Sequence, residues 1–259
     1  MIKPWEGAMT PFRIYGDVYF VGTVPASAHL IDTGEGLILL DTGYPHTLYL
    51  VLEGIRRLGF DPFDLKILLL SHGHYDHLGA AKALREYTGV KTYIGAPDVP
   101  YADGTLDLTW ARELGYVYNE AFTPDVPLHD GDAITLGRIS IRCISTPGHT
   151  PGCMSYFFEN AGKRFGMHGG VGVNSMAQDF LMRYGLSFDC RQEFLEGLER
   201  VRKEPVDILL GNHVGNNDEQ TRYLRLIAGD ADAFVDPTAW GRFLDRSRDR
   251  LLAQIESEK

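Results

Sequence analysis

The stretch Leu65-Lys66-Ile67-Leu68-Leu69-Leu70-Ser71-His72-Gly73-His74-Tyr75-Asp76-His77 decides how this chain is read. Its first half is a short apolar run with the length and composition of a buried strand. Its second half sets three histidines and an aspartate within six residues. Alternate residues of an extended backbone face the same side, so His72 and His74 point together. A tightening loop then turns Asp76 and His77 to a second point nearby. Two cations a short distance apart are the natural receivers of such a set. The chain holds nine histidines in 259 residues. Surface or helix-capping histidines would rarely gather three of these beside an aspartate at a strand end.

Outward from this stretch, the pattern alternates. Upstream, Val18–Val21, Ala28–Asp32 and Leu37–Leu40 read as consecutive strands, punctuated by Thr33-Gly34-Glu35-Gly36 and Asp41-Thr42-Gly43. Thr47–Leu58 carries Leu48, Val51, Leu52, Ile55 and Leu58 at helical spacing. Downstream, Ala80–Tyr87 reads as a helix and Lys91–Ile94 as a strand. Ala96–Pro127, with four prolines around a short helix expected near Leu108–Leu114, reads as a long irregular excursion beside the site. Strands return at Ile134–Leu136, Ile139–Ser145, Met154–Glu159 and Arg164–Gly166. Helices follow over Asp189–Arg202, Gln220–Ile227 and Ala239–Ile255. Strands then helices, twice over, describe an α/β chain with two sheets packed face to face and helices outside. No repeat or linker divides it, so one domain over residues 1–259 is expected, with a helical appendage after about residue 229.

Composition narrows the partners. With 44% hydrophobic and 23% charged residues, the chain has enough apolar material for a core that excludes water. Its net charge of −10 repels polyphosphate, and no basic run compensates, so nucleic acid is not an expected partner and a small-molecule substrate is. No apolar run approaches the roughly 18 residues needed to span a bilayer, and the first residues lack the apolar stretch of a secretory signal. A cytoplasmic protein with no membrane partner is therefore expected; its oligomeric state is left open. Cys143, Cys153 and Cys190 fit neither a disulfide framework nor a zinc knuckle and read as reduced thiols.

His72-x-His74-x-Asp76-His77 resembles the signature of the metallo-β-lactamase superfamily, and further landmarks follow in order. Asp41-Thr42-Gly43 resembles the turn closing an early strand pair. Thr146-Pro147-Gly148-His149-Thr150-Pro151-Gly152 resembles the segment carrying the third ligand of the first zinc. Gly211-Asn212-His213, after the apolar Asp207–Leu210, resembles the late histidine of the second. The resemblance implies a four-layer αββα sandwich. It implies His72, His74 and His149 on one metal and Asp76, His77 and His213 on the other. The His-rich second site is most similar to the third subclass of zinc β-lactamases and their non-lactamase relatives.

One departure stands out. Gly166-Met167-His168-Gly169-Gly170 puts His168 where most of the superfamily has an aspartate bridging both metals. A neutral imidazole has one free lone pair and can serve only one ion. His168 is expected as an additional ligand of a single metal, the alternative being a histidine hydrogen-bonded near the site. His29, His46 and His129 have no matching role.

Histidine and carboxylate donors suit zinc first, two ions per chain, with iron, manganese or cobalt open to the same donors. The chemistry so implied is a hydrolase in which a metal-bound hydroxide attacks an amide or ester carbonyl, with Asp76 as proton carrier to the leaving atom. β-Lactams and cyclic lactones are both candidate substrates, and other esters or thioesters belong to the same reading. Tyr184, Asn174, Ser175 and Asn216 lie in segments expected to border the site. Two further classes stay open: a mononuclear iron oxygenase of the same fold, and a binding protein with a structural metal.

Overall fold

The computed structural model describes residues 3–259. Twelve strands among them form two sheets. The first runs in chain order through β1 (Phe12–Tyr15), β2 (Val18–Phe20), β3 (His29–Asp32), β4 (Leu37–Leu40), β5 (Leu65–Leu69), β6 (Lys91–Gly95) and β7 (Val126–Leu128). β1 to β4 form an antiparallel meander, and β4 to β7 are parallel. The all-apolar β4 is buried along its whole length, as expected of a parallel strand covered on both faces. The parallel pairs need crossovers. These are α1 (Leu48–Arg57) before β5, and α2 (Tyr75–Leu78) with α3 (Ala81–Thr88) before β6. α4 (Val99–Ala102) and an irregular run precede β7.

The second sheet is built from β8 (Ala133–Leu136), β9 (Ile139–Ser145), β10 (Met154–Asn160), β11 (Lys163–Met167) and β12 (Ile208–Leu210), in the spatial order β12-β11-β10-β9-β8. It is antiparallel except for the parallel pair β11 and β12. That pair is bridged by α5 (Gln178–Tyr184) and α6 (Asp189–Val201); α7 (Glu219–Ile227) and α8 (Ala239–Ser257) end the chain.

Three apolar clusters define the layers. Ile38, Leu40 and Leu69 of the first sheet meet Ile141, Tyr156 and Phe165 of the second in a shared core. Val51 and Ile55 of α1 and Leu84 of α3 cover the outer face of the first sheet through Leu39 and Leu68. Phe194 and Leu198 of α6 and Trp240, Phe243 and Leu251 of α8 cover the second through Phe157 and Leu209. The order helix, sheet, sheet, helix is the expected αββα sandwich. α8 belongs to its outer layer, with the Trp240 indole donating to the Val201 carbonyl at 3.0 Å. Among the described residues no helix is long and apolar enough to cross a membrane.

The helix expected over Leu108–Leu114 is a correction: residues 109–115 are bends and turns. Trp110 has φ 67° and Gly115 φ 79°, left-handed values that interrupt a right-handed helix. Strands β1 and β7 and helix α5, all short, escaped the sequence pattern. β4, β5, β9, β11 and β12 all end at one edge of the sandwich, and the loops leaving those ends carry Asp41, His72 to His77, His149, His168 and His213.

Candidate metal centre

Each loop brings its side chain inward for a local reason. His74 precedes the single turn of α2, whose residues Asp76 and His77 fall on the side facing the histidines before it. The result is two groups of donors. Atoms of His72, His74 and His149 lie within 4.8 Å of one another, as do atoms of His72, Asp76 and His77. His213 joins the second group, with its Nε2 3.2 Å from His77 Nε2 and 3.5 Å from Asp76 Oδ2. His77 Nε2 is 3.4 Å from the same carboxylate oxygen.

The outer nitrogens of four of these rings are already committed. His149 Nδ1 donates to the Gly172 carbonyl at 2.6 Å, and His213 Nδ1 to the Pro25 carbonyl at 2.9 Å. His77 Nδ1 donates to Asp41 Oδ2 at 2.8 Å. Ser71 Oγ gives its proton to Asp41 at 2.7 Å and so accepts from His72 Nδ1 at 3.0 Å. These outer acceptors fix the tautomers, leaving each Nε2 as an inward donor atom.

Inward-facing nitrogens then meet at close range. His72 Nε2 and His149 Nε2 are 3.2 Å apart. Burial, together with neighbouring imidazoles, holds His72 well below the ordinary histidine range, and burial lowers His149 to about 4. At neutral pH the His72–His149 contact therefore sets lone pair against lone pair, and a cation relieves it. Burial, with His149 next to it, likewise holds His74 well below the usual range. In the second group, burial opposes charge on His77, but Asp76 and Asp41 override it and raise the ring to about 10. Burial also opposes ionisation of Asp76, yet His77, His213 and His74 hold its carboxyl well below the usual carboxylate range. The negative charge of Asp76, with most of its side chain out of solvent, is what draws a cation to this group. The donor set of imidazoles and one carboxylate fits a metal pair.

Asp98 ties together the two loops that supply the first donor group. Fully buried at the start of α4, it accepts from Gly73 N and Thr150 Oγ1 through Oδ2, at 2.7 and 2.6 Å, and from Gly152 N through Oδ1 at 2.7 Å. Burial raises it to about 6 against those three bonds. The loop of His74 and the loop of His149 are thus pinned to one carboxylate. Gly170 packs against the His149 ring so closely that any Cβ would collide with it.

A model of the metallo-beta-lactamase superfamily matches residues 21–162. The chain belongs to the metallo-β-lactamase superfamily. Among solved members, it is similar to the native FEZ-1 metallo-beta-lactamase from Legionella gormanii, with 28% identity, 97% of each chain covered and a TM-score of 0.87. By sequence it is 30% identical over 155 residues to the probable metallo-hydrolase YflN of Bacillus subtilis, covering 54% of this chain and 55% of the relative. It is 28% identical over 161 residues to a hydroxyacylglutathione hydrolase of a Chelativorans species, covering 62% and 51%. The chain spans about half the length of the curated relatives it matches.

Within this superfamily member, His72, His74, Asp76, His77, His149 and His213 come together as expected from the resemblance. His168 does not, and its expected place as a ligand is corrected. Its ring lies 6.3 Å from both Phe194 and Phe243, toward the helical layer. Its Nδ1 accepts from Gly170 N at 3.2 Å, which leaves the proton on a buried, unpartnered Nε2. Burial lowers it to about 3, so it stays neutral.

Beside the metallo-β-lactamase signature, sequence reasoning missed Asp41 as a carboxylate partner of His77, and Asp98 altogether. It also gave His29 no role, whereas the buried His29 Nε2 donates to the Gly211 carbonyl at 2.9 Å and anchors the loop of His213. Asn174 and Ser175 do border the cleft, and Ser175 Oγ donates to the His149 carbonyl at 2.7 Å. Tyr184 instead reaches Glu113, and Asn216 reaches Asn212. The cleft, of about 210 Å³, is roofed by Trp110, Leu114 and Val171 over the donor groups.

Proposed function

We propose that this chain is a dizinc hydrolase acting on the carbonyl of an amide or ester. His72, His74 and His149 hold the first ion; Asp76, His77 and His213 hold the second. One observation carries the reading: at two neighbouring points, imidazole nitrogens with committed outer partners face each other at 3.2 Å. When bound, the ions supply Lewis acidity toward the carbonyl and lower the pKa of water toward neutrality.

The chain's own residues do the rest. Asp76, the one carboxylate on the cleft floor, takes the proton of the attacking water and returns it to the leaving atom. Trp110, Leu114 and Val171 exclude bulk water from the reacting centre, while Asn174, Ser175 and Asn212 supply polar contacts that orient the substrate. Asp41 keeps His77, and through Ser71 also His72, in the tautomer that faces inward. Cytoplasmic residence belongs to the same proposal, supported by three free thiols.

The likeness to FEZ-1 supports a β-lactam amide as substrate. The hydroxyacylglutathione hydrolase among the relatives supports an ester, thioester or lactone. Metal content per chain, with turnover of nitrocefin, an acyl lactone and an acyl thioester on one zinc-loaded sample, tests the proposal. Two zincs and turnover of at least one substrate are expected. Asp76→Asn loses most turnover while retaining the first ion. A zinc-loaded protein inert on all three overturns the reading, and one tightly held iron per chain supports the oxygenase instead.

A further inference from the structure

We infer that a second chamber beside the metal cluster is the subsite for the substrate's acyl arm, and that it selects uncharged or cationic arms over anionic ones. This rests on the hydrolase reading and adds its substrate class. The chamber, of about 280 Å³, shares His74, His149 and Ser175 with the cleft, so an arm entering it leaves its carbonyl beside the donor groups. Its walls are apolar: Tyr101, Leu108, Phe180, Leu181 and Leu186. At roughly 30 Å³ per water-sized group, the space takes an unbranched arm of about six carbons with room for a terminal group.

The charge of the chamber comes from α6. Asp189 and Glu193 both line it, and their i, i+4 spacing puts the two carboxylates on one helix face. Both are solvent-exposed, which places them at the mouth. Arg191, between them in sequence, turns instead to Glu258 at 2.5 Å, leaving both carboxylates without an ion-pair partner among the described residues. Neither the cleft nor the chamber is lined by a lysine or arginine. An arm ending in a carboxylate therefore meets two like charges and no counter-charge. An arm ending in a cation meets two opposite charges. Because the mouth is wet, the preference is set by screened Coulomb forces and fades with salt.

Three aryl esters with the same leaving group and a six-carbon acyl arm ending in methyl, trimethylammonium or carboxylate test this on the zinc-loaded protein. At low salt, kcat/KM for the carboxylate arm is expected to be about tenfold below that for the methyl arm, with the cationic arm equal or better. High salt narrows the gap, and Asp189→Asn with Glu193→Gln closes most of it. Leu186→Trp, which fills the chamber, lowers kcat/KM for the six-carbon arm relative to an acetyl ester. Esters that turn over with no penalty on the carboxylate arm, a gap unmoved by the double variant, or equal loss on both arm lengths in Leu186→Trp each overturn the subsite and leave the hydrolase standing. Calorimetric titration of hexyltrimethylammonium decides the subsite without turnover. Binding about fivefold weaker in the double variant supports it, and unchanged binding overturns it. Failure of every ester to react overturns the hydrolase reading.

Discussion

Asp41 Oδ2 stands 2.8 Å from His77 Nδ1, both groups buried, on a residue whose backbone takes the left-handed value φ 58°. The same carboxylate accepts from the amide and hydroxyl of Ser71, each at 2.7 Å, and so reaches His72 indirectly. One side chain in a strained turn thereby orients a proposed ligand of each ion. Asparagine tolerates the left-handed region and keeps the shape, but it brings a donor where an acceptor is needed. Asp41→Asn is expected to fold and to weaken zinc binding by about 10–100-fold, as loss of such a supporting partner does elsewhere. Competition with a chromophoric chelator checks this; unaltered affinity would remove Asp41 from that role.

Asp98 is the larger structural risk. Asp98→Ala leaves the Gly73 and Gly152 amides and the Thr150 hydroxyl buried without their acceptor, at roughly 1–3 kcal/mol each. Allowing for relaxation, a loss of about 3 kcal/mol and on the order of 10 °C in Tm is expected. Asp98→Asn keeps the acceptor at one oxygen and should lose less. Thermal unfolding of both variants makes the comparison, and an alanine variant as stable as the parent contradicts the pinning of the two loops.

A pH-dependent cost is built into the segment that follows His213, where Glu219 N donates to the Val214 carbonyl at 3.0 Å. Glu219 is fully buried, with Oε2 accepting from Asn217 Nδ2 at 2.7 Å and Oε1 unpartnered. Burial raises it from 4.5 to about 7, against the opposing pull of Asn217 and Arg222. A folded-state pKa above the unfolded one contributes stability that is fully present below about pH 4.5 and is lost as the pH rises through about 7. At about 1.4 kcal/mol per unit, the loss is somewhat over 3 kcal/mol by pH 8. Glu219→Gln, neutral throughout, removes that slope. Urea unfolding at pH 5 and pH 8 on both proteins, compared as a difference, reads it out; parallel curves would show that Glu219 does not carry the charge cost.

The particular residues show why some of this was legible in the sequence. His72, His74, Asp76 and His77 sit on one short segment, so their spacing alone limits where their donor atoms can go. β4 announced itself because a strand covered on both faces must be apolar throughout, and β5 because it is apolar apart from the exposed Lys66. His149 and His213 are far away in the chain and became visible only through the resemblance, since nothing local tells a ligand from any other loop histidine. Asp98 carried no signal, because its partners are two backbone amides and a hydroxyl brought near by tertiary structure. The error at Leu108–Leu114 has a different origin. Apolar spacing there fits a helix, but Trp110 turns to lie 4.6 Å from the Phe180 ring and 5.9 Å from His74. Tertiary packing overrode local periodicity at the residue that roofs the cleft.

Trp110 supplies the last prediction, because its side chain and its backbone pull in opposite directions. A non-glycine residue at φ 67° costs about 1–2 kcal/mol relative to a right-handed conformation, and glycine escapes most of that cost. Replacing Trp110 with alanine removes the indole and keeps the strain, whereas replacing it with glycine removes both. In an ordinary loop alanine is the more stabilising of the two, since it restricts the unfolded chain more. Here the order should invert, with Trp110→Gly more stable than Trp110→Ala by about 1 kcal/mol. Turnover should fall by a similar factor in both, since both open the cleft beside His74 to water. Denaturation midpoints and kcat/KM on the two variants separate the contributions. If alanine proves the more stable, the loop relaxes once the indole is gone, and the packing of the indole alone held the strained backbone; if only one variant loses turnover, the indole is not what closes the site.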